Sequence, residues 1–223
     1  MSKNLSILPL KLRHKIALWS CWLFPQILLV ALCNSRAMWE ADDNSDIDLF
    51  IITQQWRLWI GRFLVTLISS LLGVRRQNTH GLIKWSAEYI KKTKEKFCLS
   101  FFITEDAMNF NTIRIENDIY LDIWVQTLVP LINKNNTLER FWAANGWEKS
   151  SIIYSSLFPF EGLRLKDIRH SIIEKVIKKI WLPHTLKTYE KLWKPWWVII
   201  SDTMLKFHDN DQRKIYRDSH TKE

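Results

Sequence analysis

Residues 27–53 read ILLVALCNSRAMWEADDNSDIDLFIIT, two apolar runs joined by a polar connection. The first run, Ile27–Leu32, is continuously apolar, which is typical of a β-strand covered on both faces. The second run, Asp46–Thr53, begins with two acids that alternate with apolar residues. This pattern also predicts a strand. Asp46 and Asp48 then lie on the same face, because side chains two residues apart in a strand point the same way.

Two carboxylates this close repel each other, so they are stabilised by a bound cation or by a shared proton. Beside apolar strands we expect a hard divalent cation such as Mg²⁺, which binds carboxylate oxygens and completes its coordination with water and phosphate. An isolated Asp-x-Asp also occurs in solvated turns and helix caps, and that is the alternative interpretation. The preceding turn, Asn34-Ser35-Arg36, favours the metal, since Ser35 and Arg36 can donate hydrogen bonds to phosphates.

The composition excludes two large enzyme classes. The chain has five glycines, and no two are spaced as in G-x-G-x-x-G or G-x-x-x-x-G-K-[ST]. A Rossmann dinucleotide-binding enzyme and a P-loop NTPase are therefore excluded, because both bind phosphate through glycine-rich backbone.

The 32 Lys and Arg outnumber the 23 Asp and Glu, for a formal charge of +9. This excess favours an anionic partner: a nucleotide, a nucleic acid or a membrane surface.

Two further features bear on where the protein works. Its three cysteines form no Cys-x-x-Cys pair, which favours reduced thiols and a cytoplasmic location. The apolar stretch Ala17–Cys33 is shorter than the roughly 20 residues of a membrane-spanning helix and is interrupted by Pro25. We therefore predict no integral membrane segment. Peripheral attachment through Trp196 and Trp197 remains an alternative, since Trp residues anchor proteins at membrane interfaces.

The rest of the chain predicts a small sheet followed by helices. Phe97–Thr104 is a third strand candidate, and helical spacing recurs in the segments Trp56–Leu72, Ile119–Leu131, Thr137–Trp147 and 167–191. The predicted fold class is α+β: a small mixed β-sheet flanked by helices, then a helical C-terminal domain. We place the α/β domain at residues 1–106 and the helical domain at residues 107–223.

Basic residues outside the turn have two interpretations each. Arg75 and Arg76 can bind a triphosphate or an RNA backbone, or they can be a solvated flank of a loop. Arg213 can fold back over a bound nucleotide, or it can pair with Asp209 on the surface of a helix.

The strand, the Asn-Ser turn and the strand bearing Asp-x-Asp resemble the nucleotidyltransferase superfamily, which includes polymerase-beta-like enzymes and aminoglycoside nucleotidyltransferases. The family signature is a strand, a Gly-Ser turn and a second strand with Asp-x-Asp. Asn34-Ser35 stands where Gly-Ser is expected, and Asp46 and Asp48 match the two metal-binding aspartates. Asn is the non-glycine residue that best tolerates a positive φ, so the turn can persist with Asn34.

The resemblance implies a Mg²⁺-dependent enzyme that transfers a nucleoside monophosphate from an NTP to a hydroxyl acceptor and releases pyrophosphate. The acceptor is a small molecule, a protein or an RNA. Asp46 and Asp48 are then catalytic metal ligands. The implied substrate-binding residues are Asn34, Ser35, Arg36 and Ser45, with Ser35 and Arg36 on the triphosphate.

One departure from the family leaves a second hypothesis open. Active members usually place a third carboxylate on a neighbouring strand, and Phe97–Thr104 contains no acid. Glu105, directly after that strand, is our candidate for the third catalytic carboxylate. If a third carboxylate reaches the aspartate pair, enzymatic activity is favoured. If none does, the alternative is a catalytically silent protein of this fold that binds a nucleotide or a partner.

Overall fold

The computed structural model of the chain describes residues 10–38, 41–42, 44–77, 79, 81–147, 171–191, 195, 197–207, 211 and 213–220. The strands are β1 Ile27–Leu32, β2 Ile47–Thr53, β3 Phe97–Thr104, β4 Val129–Asn133, β5 Ile199–Ile200 and β6 Met204–Lys206. The helices are α1 Leu12–Leu23, α2 Asn34–Ala37, α3 Leu58–Leu71, α4 Ala87–Thr93, α5 Ile119–Thr127, α6 Thr137–Ala144, α7 Ile172–Lys191 and α8 Arg213–His220.

The strands form one mixed sheet in the order β4-β1-β2-β3-β6-β5. β1 is antiparallel to β2 and β4, β2 is parallel to β3, and β6 is antiparallel to β3 and β5. All six residues of β1 are buried, because helices cover both faces of the sheet. The bounds of β1 and β3 match the sequence prediction, and the α+β fold class is confirmed.

Alternate residues of the central strands face two separate apolar clusters. On one face, β1 and β2 pack against α1 and α3, with Leu18 and Trp59 fully buried. On the other face, aromatic rings fill the space between the sheet, α5 and α6: Phe50, Phe101, Phe110, Trp124 and Phe141. Neighbouring ring centroids in this aromatic cluster lie 5.0–6.0 Å apart.

Two predicted elements differ from the structure. The predicted helix Ile119–Leu131 ends at Thr127, and Val129 begins β4. The reason is Pro130, which disfavours helical backbone at the residue before it and is tolerated here because β4 is an edge strand. The predicted helix Thr137–Trp147 also ends early, at Ala144, and its N-cap is Asn136, while the Thr137 hydroxyl donates to the Lys134 carbonyl at 2.6 Å.

The sheet crosses the predicted boundary at residue 106. β4 pairs with β1 and β6 pairs with β3, so segments from both predicted domains contribute to one sheet. Within the described residues, no helix combines the length and hydropathy needed to cross a membrane. Trp196, proposed above as a peripheral anchor, lies outside the described residues.

Candidate functional site

The two aspartates lie at the start of β2, at the centre of the sheet. Asp48 pairs with Cys98 of the parallel strand β3, and its carbonyl accepts a hydrogen bond from the Cys33 amide at 3.1 Å. Asp46 directly precedes the strand. One ligand atom each from Asp46, Asp48 and Cys98 lies within 4.8 Å of the other two. The predicted aspartate pair is therefore brought together, and a thiol is the third member of the cluster.

Burial and mutual repulsion control the charge of this cluster. Burial, followed by the negative charge of Asp46, raises the pKa of Asp48 to about 7, while hydrogen bonds from Cys98 and Asn34 oppose the increase. Burial and both carboxylates raise the pKa of the Cys98 thiol well above its ordinary value. The thiol therefore stays protonated at neutral pH. A nearby cation would stabilise the two carboxylates, since a positive charge favours their ionised forms.

A guanidinium supplies positive charge beside the pair. Arg76 donates from Nη1 to Asp46 Oδ2 at 2.9 Å and from Nη2 to Thr79 Oγ1 at 3.3 Å. Its Nη1 also lies 3.6 Å from Cys98 Sγ. The side chains of Arg76 and Asp46 are 19% and 18% exposed, so the pair is well shielded from water. This position favours a role of Arg76 at the site over a solvated loop flank.

Asn34 has the left-handed backbone that the turn requires. Its φ is 55°, which confirms the sequence prediction for this residue. The Asn34 Oδ1 accepts a hydrogen bond from Trp124 Nε1 at 2.9 Å, and the Asn34 side chain also bonds to Asp48. Asn34 thus lies between the buried indole of α5 and the carboxylate of Asp48, whose ionised form it favours.

The other residues of the predicted turn have structural partners. Arg36 donates from Nε to the Asp46 carbonyl at 2.8 Å and from Nη2 to the Ser45 carbonyl at 2.6 Å. The Ser45 hydroxyl donates to Asp42 Oδ1 at 2.7 Å. These bonds hold the connection that leads into β2 and so position Asp46. Ser35 is half-buried beside Arg36 in the short helix α2.

Glu105 does not join the aspartate pair. β2 and β3 run parallel, with Ile47 beside Phe97 at one end and Thr53 beside Thr104 at the other. Glu105 follows Thr104, so roughly 20 Å of strand separates it from the pair, at about 3.3 Å per residue. Its Oε2 accepts from Arg140 Nη2 at 2.9 Å instead. Among the described residues, the third side chain of the cluster is Cys98, which the sequence does not single out because it is not an acid.

A cavity of about 560 Å³ opens beside Asp48 and Cys98. β3, α3 and α7 contribute to its wall, together with the segment that follows α3. Among the described residues, its charged lining consists of Asp48 and three arginines, Arg62, Arg75 and Arg76. Aromatic and polar side chains complete it, among them Trp181, His184, Tyr189 and Phe207. Such a lining suits an anionic ligand with an apolar or aromatic part.

The donor set fits Mg²⁺ in part. Asp46 and Asp48 provide the carboxylate oxygens that Mg²⁺ prefers, and Mg²⁺ commonly uses one or two protein carboxylates together with water and phosphate. The protonated Cys98 thiol is a poor ligand for a hard cation. Asp46 and Asp48 would therefore hold the ion, and Cys98 would act on it through its hydrogen bond to Asp48.

Comparison of the chain with known protein families, curated proteins and solved structures yields no significant match.

Proposed function

We propose that the chain binds an NTP with Mg²⁺ at Asp46 and Asp48, and the first candidate for its function is transfer of the nucleoside monophosphate to a hydroxyl acceptor. The observation that carries this proposal is that Asp48 belongs to two features of the site at once. Its carboxylate belongs to the aspartate pair and also to the wall of the arginine-lined cavity. An ion at the pair would thus adjoin a space whose charge attracts a polyphosphate.

In this reaction the acceptor hydroxyl loses its proton to solvent as its oxygen forms a bond to the α-phosphorus, and the bond from that phosphorus to pyrophosphate breaks. Bound Mg²⁺ would polarise the phosphoryl oxygens and stabilise charge on the leaving group. The protein holds its two carboxylates in place beforehand. Asn34 and Cys98 lie beside Asp48 and favour its ionised form, and Arg36 holds the backbone at Asp46. Such fixed geometry lowers the cost of reorganisation during the reaction.

A second candidate is a catalytically silent protein that binds the nucleotide without turning it over. The position of Cys98 favours it. Active members of the resembled family carry a third carboxylate on a strand beside Asp-x-Asp, and here the residue of β3 opposite Asp48 is Cys98. A buried protonated thiol provides neither an anionic metal ligand nor a general base.

Calorimetry and pyrophosphate release together test both candidates. Each NTP is titrated into the wild-type chain with Mg²⁺ or EDTA, and pyrophosphate release is followed in a cell extract that supplies acceptors. The Asp46→Asn, Asp48→Asn double variant removes the metal ligands. Asp122→Asn is the matched control, since Asp122 pairs with Arg114 away from the cavity.

We expect Mg²⁺-dependent NTP binding and pyrophosphate release by the wild type and by D122N. The double variant is expected to lose at least 100-fold in release, as is typical when catalytic metal ligands are removed. Binding without release would support the silent protein instead. Equal NTP affinity of the wild type and the double variant would overturn the Mg²⁺ site at Asp46 and Asp48 from which both candidates are argued.

A further inference from the structure

In the turn that the family resemblance assigns to the triphosphate, the guanidinium of Arg36 already donates hydrogen bonds to the backbone. Arg36 directs Nε and Nη2 to the carbonyls of Asp46 and Ser45. We propose that Arg62 and Arg75 instead form the subsite for the two phosphates that leave as pyrophosphate. This inference rests on the proposed function for its position beside Asp48. It moves phosphate binding from the turn before β2 to α3 and the segment after it.

Arg62 is held in an aromatic setting within the cavity wall. Its Cζ lies 5.7 Å from the ring centroid of Trp59, 5.5 Å from that of Trp181 and 4.7 Å from that of Phe207. Its Nη1 donates to Thr185 Oγ1 at 2.9 Å. The rings and the hydroxyl fix the guanidinium in one place. A fixed guanidinium loses little further entropy when it binds a phosphate through its remaining donors.

The charge of Arg62 has no described acidic counterpart. In the part of the chain that the structure describes, no carboxylate forms an ion pair with Arg62 or Arg75. Burial, followed by the positive charge of Arg75, lowers the pKa of Arg62 to about 10. Two guanidiniums that face one cavity without a described counterion favour an anion there.

The spacing along β3 suits a polyphosphate. The Phe207 amide donates to the Ser100 carbonyl at 2.8 Å, so Phe207 and the overlying Arg62 lie beside Ser100. Ser100 follows Cys98 by two residues, within the stretch where the register of β3 with β2 shifts, and Cys98 lies opposite Asp48. An α-phosphate at the aspartate pair thus leaves the later phosphates directed toward Arg62.

Titration of inorganic pyrophosphate in EDTA tests this subsite without metal or nucleotide. We expect Arg62→Gln and Arg75→Gln each to weaken pyrophosphate binding at least tenfold, because each removes one charged phosphate contact. Arg114→Gln, with the same change in net charge, is the matched control and is expected to stay within twofold of wild type. Arg75 is exposed, so R75Q provides the test if R62Q does not fold.

Ser35→Ala separates the two possible phosphate positions. We expect it to leave pyrophosphate affinity within twofold of wild type. A tenfold loss in S35A with none in R75Q would overturn the inference and return the phosphates to the turn. A different result would contradict the proposed function while leaving the subsite in place. Pyrophosphate binding that depends on Arg62 and Arg75, with no effect of D46N/D48N on NTP binding, would support the subsite and overturn the metal-dependent reaction.

Discussion

The carboxyl group of Asp48 experiences opposing influences on its charge. Burial and the neighbouring Asp46 favour its protonated form, whereas Asn34, Cys98 and Arg76 favour the carboxylate, and the net result is a pKa of about 7. In the metal-free protein, Asp48 therefore takes up or loses a proton near neutral pH. Such a group couples the stability of the fold to pH.

We expect the metal-free protein to lose stability as the pH rises from about 5 to 8. The Asp48 carboxyl has an ordinary pKa of 3.8, against about 7 when folded. Between these values the folded chain holds a proton that the unfolded chain has lost. This contribution to stability is complete below pH 3.8 and disappears as the pH passes through 7. A difference of one between the folded and unfolded pKa values corresponds to about 1.4 kcal/mol, so the total is a few kcal/mol.

Urea unfolding of the wild type and Asp48→Asn at pH 5 and pH 8, in EDTA, measures this contribution. The variant cannot ionise at this position, so we expect a smaller change in its unfolding free energy between the two pH values. Asp122→Asn is the control for the loss of one carboxylate and should keep the pH dependence of wild type. The prediction fails if D48N and D122N respond alike to pH.

At single positions, the sequence predicts what depends on local geometry. It identified Asp46 and Asp48 because side chains two residues apart share a strand face, and the left-handed backbone of Asn34 because Asn tolerates it. It did not identify Cys98, whose place opposite Asp48 depends on the register between β2 and β3. The partners of Arg36 are backbone carbonyls, and no sequence pattern distinguishes carbonyls from phosphates as acceptors for an arginine.

Among the elements, the buried strands were the easiest to predict. β1 is a continuous apolar run and β3 is an apolar run interrupted by Ser100, and such runs indicate strands covered on both faces. β4 was missed because its apolar residues continue the helical spacing of α5 until Pro130 interrupts it. Two roles were predicted for Arg213 of α8, over a bound nucleotide or paired with Asp209, and both stay predictions, since Asp209 lies outside the described residues. Among the described residues, Arg213 contacts Asp118 and Asp211, whose proximity depends on how α8 packs against α5.

Replacement of Arg213 by alanine is expected to destabilise the protein by about 3–5 kcal/mol. Arg213 Nη1 donates to Asp118 Oδ2 at 3.2 Å and to the Ile113 carbonyl at 2.7 Å. Its Nη2 donates to Asp211 Oδ2 at 2.7 Å. The side chains of Asp118 and Asp211 are 0% and 4% exposed. The variant leaves two carboxylates buried with a guanidinium partner missing.

Urea unfolding provides the measurement, with Arg217→Ala as the matched control on the same helix. Arg217 pairs with Asp218, whose side chain is 60% exposed. Such a surface pair contributes about 0–1 kcal/mol. The expected order is therefore a large loss for R213A and a small one for R217A. Similar losses in the two variants would show that the buried pairs do not anchor α8.

At the scale of the whole molecule, the sheet depends on both halves of the chain. β4 covers the free edge of β1, and β6 covers that of β3. The aromatic cluster likewise joins Phe50 and Phe101 to Phe110, Trp124 and Phe141. Composition separates a strand-rich first half from a helical second half. It does not reveal the pairing across residue 106, because that pairing joins segments distant in the sequence.

We therefore expect a fragment of residues 1–106 not to fold alone. It lacks β4 and β6, so β1 and β3 would become edge strands with unpaired backbone groups, which promote aggregation. It also lacks α5 and α6, so Phe50 and Phe101, at most 3% exposed in the full chain, would face water. Burial of a side chain of this size contributes about 1.5–3 kcal/mol, a large share of the stability of a small domain.

Circular dichroism, amide NMR dispersion and sedimentation of the fragment, compared with the full chain, test this expectation. We expect the full chain to unfold cooperatively, and the fragment to show poor dispersion or to aggregate. Mixing with residues 107–223 supplies β4, α5, α6 and β6, and should increase amide dispersion if the halves fold together. A monomeric fragment with dispersed amides and cooperative unfolding would contradict the prediction. It would then place a domain boundary at residue 106, with β4 and β6 docked on a preformed sheet.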